Sequence, residues 1–230
     1  MTLSVPTFNL SLLMWVGLLP LLPVALEVRT PRRAFLYGWW AGIVGITIAF
    51  YWMKGLLERF AHMPGYQAIP IMMLLSTYQA LEFGLFAWGV HRLARRRPEL
   101  PLALMAPLVM VVIELVVPQI FPFYLAISQA FVPPIIQIAD LAGPMGVTFV
   151  LVMVTGALYD AGRLLRSTAR AALWRALARC LRVPAAVVAA VLIYGVVRIH
   201  QVDSRREAAD KALVGIVQAN VGISEKWDPN

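Results

Sequence analysis

The stretch AFLYGWWAGIVGITIAFYWM, residues 34–53, decides the fold because its twenty residues carry no charge. A helix of that length rises about 30 Å and crosses the hydrocarbon core of a bilayer. Hydrophobic residues make up 60% of the chain and charged residues 14%, against about 45–50% and 25% in soluble domains. We therefore predict an all-α polytopic membrane helix bundle over residues 1–202, with six apolar blocks at 8–26, 34–54, 68–91, 102–117, 144–162 and 183–199.

Arginine is concentrated in alternate connections between these blocks. The three rich connections hold Arg29, Arg32 and Arg33, then Arg92 and Arg95–Arg97, then Arg163, Arg166, Arg170, Arg175, Arg179 and Arg182. The positive-inside rule makes this side cytoplasmic and places both termini outside. An outside amino terminus leads us to expect a further helix before residue 1. The net charge of +8 is explained by topology, and we expect no nucleic-acid partner.

Two segments of the membrane region lack the sequence pattern of a membrane-spanning helix. Residues 163–182 are too basic to cross a bilayer, and we predict an interfacial helix on the cytoplasmic surface. Residues 118–143, PQIFPFYLAISQAFVPPIIQIADLAG, are apolar but interrupted by four prolines. Neither interval between prolines can span the membrane as a regular helix. We predict an outer interfacial or re-entrant loop, which points to a site.

The carboxyl-terminal part, residues 203–230, differs in character from the bundle. After a charged linker, LVGIVQANV at 213–221 is typical of a strand buried on both faces. These 28 residues are too few for a core of their own. We therefore expect these residues to be the incomplete start of a second, soluble α/β domain.

Few polar residues are placed where they could act on a substrate. Glu82 lies within an apolar block. It is either an acid that contacts a substrate or a carboxyl group paired with Gln79 or a neighbouring helix. Glu114 either snorkels at a helix end or organises the outer loop beside a substrate opening. We predict substrate contacts for Glu114, Gln129 and Trp227, although Trp227 could equally be a packing residue.

Metal and cofactor chemistry find no support in the sequence. The three histidines, His62, His91 and His200, are far apart, and Cys180 is the single cysteine. We expect no metal and no cofactor. Cys180 has no base in view and is expected on the cytoplasmic side, so we assign it no catalytic role.

Several motifs together resemble the apolipoprotein N-acyltransferases of bacterial envelopes. The likeness is carried by residues 34–53 and by four further stretches: RFAHMPGYQAIPIMMLLSTYQALEFGLFAWGVHRL (59–93), IELVVPQIFPFYLAISQ (113–129), IIQIADLAGPMGVTFVLVMVTG (135–156) and VGIVQANVGISEKW (214–227). The sequence departs from the family pattern at Val117, where arginine is common, and at Phe123, where tryptophan is common.

The resemblance implies a reaction, a location and partners. Such enzymes move an acyl chain from a phospholipid, through a cysteine thioester, to the amino group of a lipoprotein's diacylglyceryl-cysteine. It implies a Glu–Lys–Cys triad in a nitrilase-like domain, which here would lie beyond Asn230, and a place for Trp227 on the active-site approach. It further implies a monomer in the bacterial inner membrane with a periplasmic carboxyl terminus. We expect the 230-residue chain to be inactive alone.

Two other functions remain open at this stage. The chain could be a non-catalytic membrane module or remnant that works with a separate domain. A small transporter is the other alternative, suggested by Glu82 and the broken segment at 118–143. Inverted repeats, which many transporters contain, are not evident in the helix pattern.

Overall fold

The computed structural model describes residues 10–218 and residue 220, and the described part is all-α. Two 3-10 helices, Ser11–Leu13 and Leu125–Gln129, accompany the α-helices. The α-helices are α1 (Met14–Gly17), α2 (Leu21–Glu27), α3 (Pro31–Ala49), α4 (Tyr51–Phe60), α5 (Gly65–Gln79), α6 (Leu81–Arg96), α7 (Leu102–Val116), α8 (Pro133–Ile136), α9 (Ala139–Ser167) and α10 (Arg170–Ala208).

The bundle contains helices that are long and apolar enough to cross a membrane. Three helical segments meet that description: Gly65–Arg96, which consists of α5 and α6, Ala139–Ser167 and Arg170–Ala208. A fourth span results if α3 and α4, bent by 53° relative to each other, are counted as one. The apolar segments Ser11–Glu27 and Leu102–Val116 are shorter. The chain is therefore a multi-pass membrane protein, and all six predicted blocks are largely helical.

The predicted block at 34–54 is not one straight helix. It ends at Ala49, and α4 leaves at an angle with Lys54, Glu58 and Arg59 along its length. The Lys54 ammonium bonds the Glu58 carboxylate at 2.7 Å, one helical turn away. Charges are costly in hydrocarbon, so a helix carrying three of them is better placed at the interface than in line with α3.

The interfacial helix predicted at 163–182 is wrong. Helix α9 continues to Ser167, and α10 runs without interruption from Arg170 through Pro184 to Ala208. Its 39 residues correspond to about 58 Å, far more than a bilayer core needs. Alanine, leucine and arginine favour helix, so the basic residues from Arg170 to Arg182 are continuous with the apolar part of α10 and do not form a separate helix.

Small residues bring the helices into close contact. A Cβ atom on Gly42 of α3 would lie 2.8 Å from Cδ2 of Phe83 and 3.0 Å from the carbonyl oxygen of Ala80. A Cβ atom on Gly195 would overlap the carbonyl oxygen of Pro134 in α8. Close approach at small residues is the usual means of joining membrane helices. These contacts fix α3 against α6 and α10 against α8.

The tail of the described region carries no strand. After Ala208 the chain has neither helix nor strand through Gln218, and Leu213, Val214, Ile216 and Val217 are exposed. The strand predicted at 213–221 is therefore not formed in its described residues. A strand needs a neighbour for its backbone hydrogen bonds, and the described part of the chain offers none. The rest of that segment, and Trp227, lie outside the described residues.

Candidate functional site opposite the arginine-rich connections

The loop between α7 and α9 is held by buried carboxyl groups at the end opposite the arginine-rich connections. Glu82 begins α6 and Glu114 ends α7, and they are 5% and 3% exposed. Neither carboxyl faces the surface, so the snorkelling interpretation of Glu114 is wrong.

Glu114 fixes the start of the 3-10 helix in this loop. Its Oε1 accepts a hydrogen bond of 2.9 Å from the backbone N–H of Leu125, which is also buried. Thr148 of α9, fully buried, lies beside the same carboxyl group. This geometry favours the interpretation that Glu114 organises the outer loop. Its contact with a substrate stays a prediction.

Glu82 is engaged by the same loop through Gln119. The Nε2 of Gln119 donates to Oε2 of Glu82 at 3.4 Å, and its Oε1 accepts from the backbone N–H of Phe123 at 2.7 Å. Gln79, which the sequence offered as a partner of Glu82, donates instead to the carbonyl oxygen of Phe121 at 3.0 Å. Glu82 therefore has a hydrogen-bond partner in the loop, as a structural role for this carboxyl group requires.

Gln129 closes the cluster on its other side. Its side chain is fully buried, and Nε2 donates to the carbonyl oxygen of Ser11 and to Oγ of Ser128, both at 3.0 Å. Ser128 in turn donates to the carbonyl oxygen of Leu125 at 2.7 Å. Gln129 therefore ties the loop to the start of the described chain. The structure brings Glu114 and Gln129 to the two ends of one 3-10 helix, and Trp227 lies outside the described residues.

An aromatic cluster joins the loop to the break between α3 and α4. The Phe50 ring meets Phe121 and Phe123 edge-on, at centroid distances of 6.0 and 5.8 Å. Trp52 meets Phe121 in the same manner at 6.4 Å. Edge-to-face aromatic pairs of this kind are worth about 0.5–1.5 kcal/mol each beyond the area they bury. The rings hold the loop against α3.

Beneath this cluster an apolar groove opens on the side of the bundle. Its volume is about 280 Å³, and it extends from Ala49 and Phe123 along α3 toward Ala41. Gly17, Pro20 and Leu21 form one wall, Phe83 lies in another, and Gly42, Val44, Gly45 and Ile46 complete the α3 side. Among the described residues, no charged side chain lines it. The chemistry of this lining suits a hydrocarbon chain, which needs no hydrogen-bond partner.

In the part of the chain that the structure describes, no three His, Cys, Asp or Glu side chains are grouped so as to hold a metal ion.

The sequence did not reveal that Gln119 and Tyr78 contact the loop between α7 and α9. The Tyr78 hydroxyl donates to the carbonyl oxygen of Pro118 at 2.6 Å.

Comparison with known proteins identifies the family. A family model described as the apolipoprotein N-acyltransferase N-terminal domain matches residues 1–157, which include the outer loop, both buried carboxyl groups and the groove. The chain belongs to this family. The matched region ends within α9, so it covers most of the bundle and none of residues 203–230.

Individual family members align with this chain over much of its length. An apolipoprotein N-acyltransferase of Geobacter metallireducens is 27% identical over 236 residues, covering all of this chain and 43% of that protein. One of Rhodopirellula baltica is 34% identical, covering 69% of this chain and 28% of the relative. One of Photobacterium profundum is 29% identical, covering 68% and 31%. The chain thus spans less than half the length of these relatives.

Proposed function

We propose that this chain is the membrane portion of an apolipoprotein N-acyltransferase of the bacterial inner membrane. The reaction takes an acyl chain from a phospholipid and places it on the N-terminal diacylglyceryl-cysteine of a lipoprotein. In this proposal residues 1–202 form the membrane domain, and residues 203–230 lead into a nitrilase-like domain on the periplasmic side. The arginine-rich connections then face the cytoplasm.

The observation that carries the proposal is the apolar groove beneath the outer loop. Phe123, which lines its outer end, belongs to a loop held by Gln119 and, through Leu125, by Glu114. A phospholipid in the outer leaflet would lay an acyl chain along α3 while its ester group stays near the loop. The buried polar contacts keep the entrance in one position, which places the ester reproducibly for attack.

The proposed reaction proceeds in two steps on a cysteine thiolate of the nitrilase-like domain. The thiolate attacks the ester carbonyl carbon, a thioester forms, and the lysophospholipid alkoxide leaves with a proton from the general acid. The lipoprotein amine then attacks the thioester, an amide forms, and the thiolate is regenerated as the amine proton passes to the base. Cys180, on the cytoplasmic half of α10, is not that thiol in this proposal.

A chimera tests this proposal. This chain would replace the aligned residues of the Geobacter metallireducens relative, which supplies the remaining 57% of its own length. We expect the chimera to convert diacylated lipoprotein to the triacylated form, and the 230-residue chain alone to be inactive. N-acylation by the purified chain alone, or a folded and inserted chimera without activity, contradicts the proposal.

A non-catalytic membrane module is the alternative. It is distinguished by adding the separately purified nitrilase-like part of the same relative to this chain in proteoliposomes. If the chain acts only as a partner for a separate domain, activity appears on mixing and not in the covalent chimera.

A further inference from the structure

A second cavity lies at the opposite end of the bundle from the groove. Its volume is about 450 Å³, and it is enclosed by the ends of α2 and α6, the start of α7 and the middle of α9. Its polar lining consists of Glu27, His91, Arg95, Tyr159, Asp160 and Arg163. The three arginine-rich connections meet here, so the cavity lies at the depth of lipid headgroups on that side.

Two hydrogen-bonding side chains in the cavity wall, the buried His91 and the partly buried Asp160, hold the surrounding helices in place. His91 is 4% exposed, and its Nδ1 lies 2.7 Å from the carbonyl oxygen of Ala25. A carbonyl oxygen can only accept, so Nδ1 carries the proton and Nε2 remains for a ligand that enters the cavity. Asp160 Oδ2 accepts from the backbone N–H groups of Leu102 and Ala103, at 2.7 and 3.3 Å. These bonds join α6 to α2 and α7 to α9 around the same space.

Among the residues that line the cavity, positive and negative side chains are equal in number. Arg95 and Arg163 supply two guanidinium groups, while Glu27 and Asp160 supply two carboxylates. Guanidinium groups bind phosphate oxygens in a planar, bidentate manner. Asp160 is occupied by the start of α7, which leaves the exposed Glu27 carboxylate for a cation. A ligand with one phosphate and one ammonium group therefore matches this lining better than a simple anion does.

The cavity also has an apolar side. Leu26, Leu102 and Met105 line it, and Leu102 and Met105 are 2% and 3% exposed. A lipid headgroup is joined to a glycerol backbone and two acyl chains, which need such a surface. A soluble phosphate ester would leave it unused.

We propose that this cavity binds the headgroup of a cytoplasmic-leaflet phospholipid that carries a phosphodiester and a primary ammonium group, as in phosphatidylethanolamine. Arg95 and Arg163 bind the phosphate, and Glu27 accepts hydrogen bonds from the ammonium. Tyr159 and His91 belong to the same lining and offer further polar groups to the ligand. The bound lipid joins α2, α6 and α9 at the cytoplasmic end. This site is independent of the acyl-transfer proposal, because it lies at the other end of the bundle.

The test uses native mass spectrometry of the 230-residue chain in detergent after lipid removal. Phosphatidylethanolamine, phosphatidylcholine and phosphatidylglycerol with identical acyl chains are titrated in turn. The double variant Arg95→Ala/Arg163→Ala is compared with Arg96→Ala/Arg170→Ala, which removes two exposed arginines of the same end that do not line the cavity. We expect the first pair to weaken binding of phosphatidylethanolamine about tenfold or more and the second pair to leave it unchanged.

Glu27→Gln provides a second variant, since it keeps the size of an exposed side chain and is not expected to impair folding. It should reduce the preference for phosphatidylethanolamine over phosphatidylglycerol by about tenfold while total lipid binding persists. Equal losses in both arginine pairs would overturn the proposal, as would no preference of the wild type among the three lipids. Displacement of the lipid by millimolar inorganic phosphate or phosphoethanolamine would assign the cavity to a free phosphate compound instead and would also overturn it.

Discussion

Glu114 at the end of α7 accepts a 2.9 Å hydrogen bond from the backbone amide of Leu125, eleven residues further along the chain. Both residues are buried, and the bond determines where the outer loop turns back into the bundle. Because the loop carries Phe123 into the wall of the apolar groove, one carboxyl group links the last turn of a helix to the shape of the proposed acyl-chain site.

Replacement of Glu114 tests this link. Glu114→Ala leaves the buried Leu125 amide without its acceptor and should lower the free energy of unfolding by about 1–3 kcal/mol. Glu114→Gln keeps an acceptor oxygen and should recover most of the loss. Unfolding in mixed micelles measures both, with Glu99→Ala as the control because Glu99 is exposed and pairs with Arg97 at 3.6 Å. Equal stability of the alanine and wild-type proteins would show that the bond does not hold the loop.

Filling the groove should weaken binding of the acyl donor without disturbing the fold. A Cβ atom on Gly45 would meet no atom within 4 Å, so Gly45→Leu adds a side chain to the groove with little strain. In the chimera we expect the KM for phospholipid to rise several-fold. Gly162→Leu is the matched control, because its position on α9 is equally open and lies outside the groove. The same KM in both variants would exclude the groove as the donor site.

Gly195 permits the close approach of α10 to α8. In Gly195→Leu the new side chain would overlap the backbone of Pro134, which cannot move aside as a flexible side chain could. We expect α10 to be displaced and the free energy of unfolding to fall by about 1–3 kcal/mol, the usual range for overpacking. Ala189→Leu, at an exposed position of the same helix, should be neutral. A disulfide trapped less efficiently between cysteines placed on α8 and α10 would confirm displacement, whereas unchanged trapping would contradict it.

The orientation of the bundle can be measured with its single cysteine. Cys180 is partly exposed on the basic part of α10, which we place in the cytoplasm. A membrane-impermeant maleimide should label it in inverted vesicles and not in intact cells. On a Cys180→Ala background, His62→Cys after α4 should give the opposite pattern. Labelling of Cys180 in intact cells would reverse the proposed topology.

The sequence predicted the helical blocks well because a bilayer demands twenty or so apolar residues, and such runs are visible directly. The sequence did not predict correctly where these helices end or bend. Nothing in the apolar run at 34–54 signals the break after Ala49, which coincides with the packing of Phe50 against Phe121 and Phe123 from a distant loop. The basic segment at 163–182 looked like a separate helix because composition alone does not distinguish a surface helix from the extension of a span.

The site was predictable only in part. A carboxyl group one turn before Pro118 suggested a loop organiser, and Glu114 has that geometry. The bond between Gln129 and Ser11 joins residues 118 positions apart, so no local pattern announces it. Gln119 bridges Glu82 and the Phe123 amide from within a proline-rich loop, where neither helical nor strand periodicity marks a buried residue.

The most direct test of the central claim is to find where a phospholipid acyl chain resides on the protein. A phospholipid with a photoreactive group at the end of one acyl chain would be bound in nanodiscs, and loosely held lipid would be exchanged before irradiation. We predict that the remaining adducts concentrate on groove residues such as Leu21 and Ile46. Adducts spread equally over outward-facing positions of α10, such as Ile193 and Val196, would contradict the assignment of the groove.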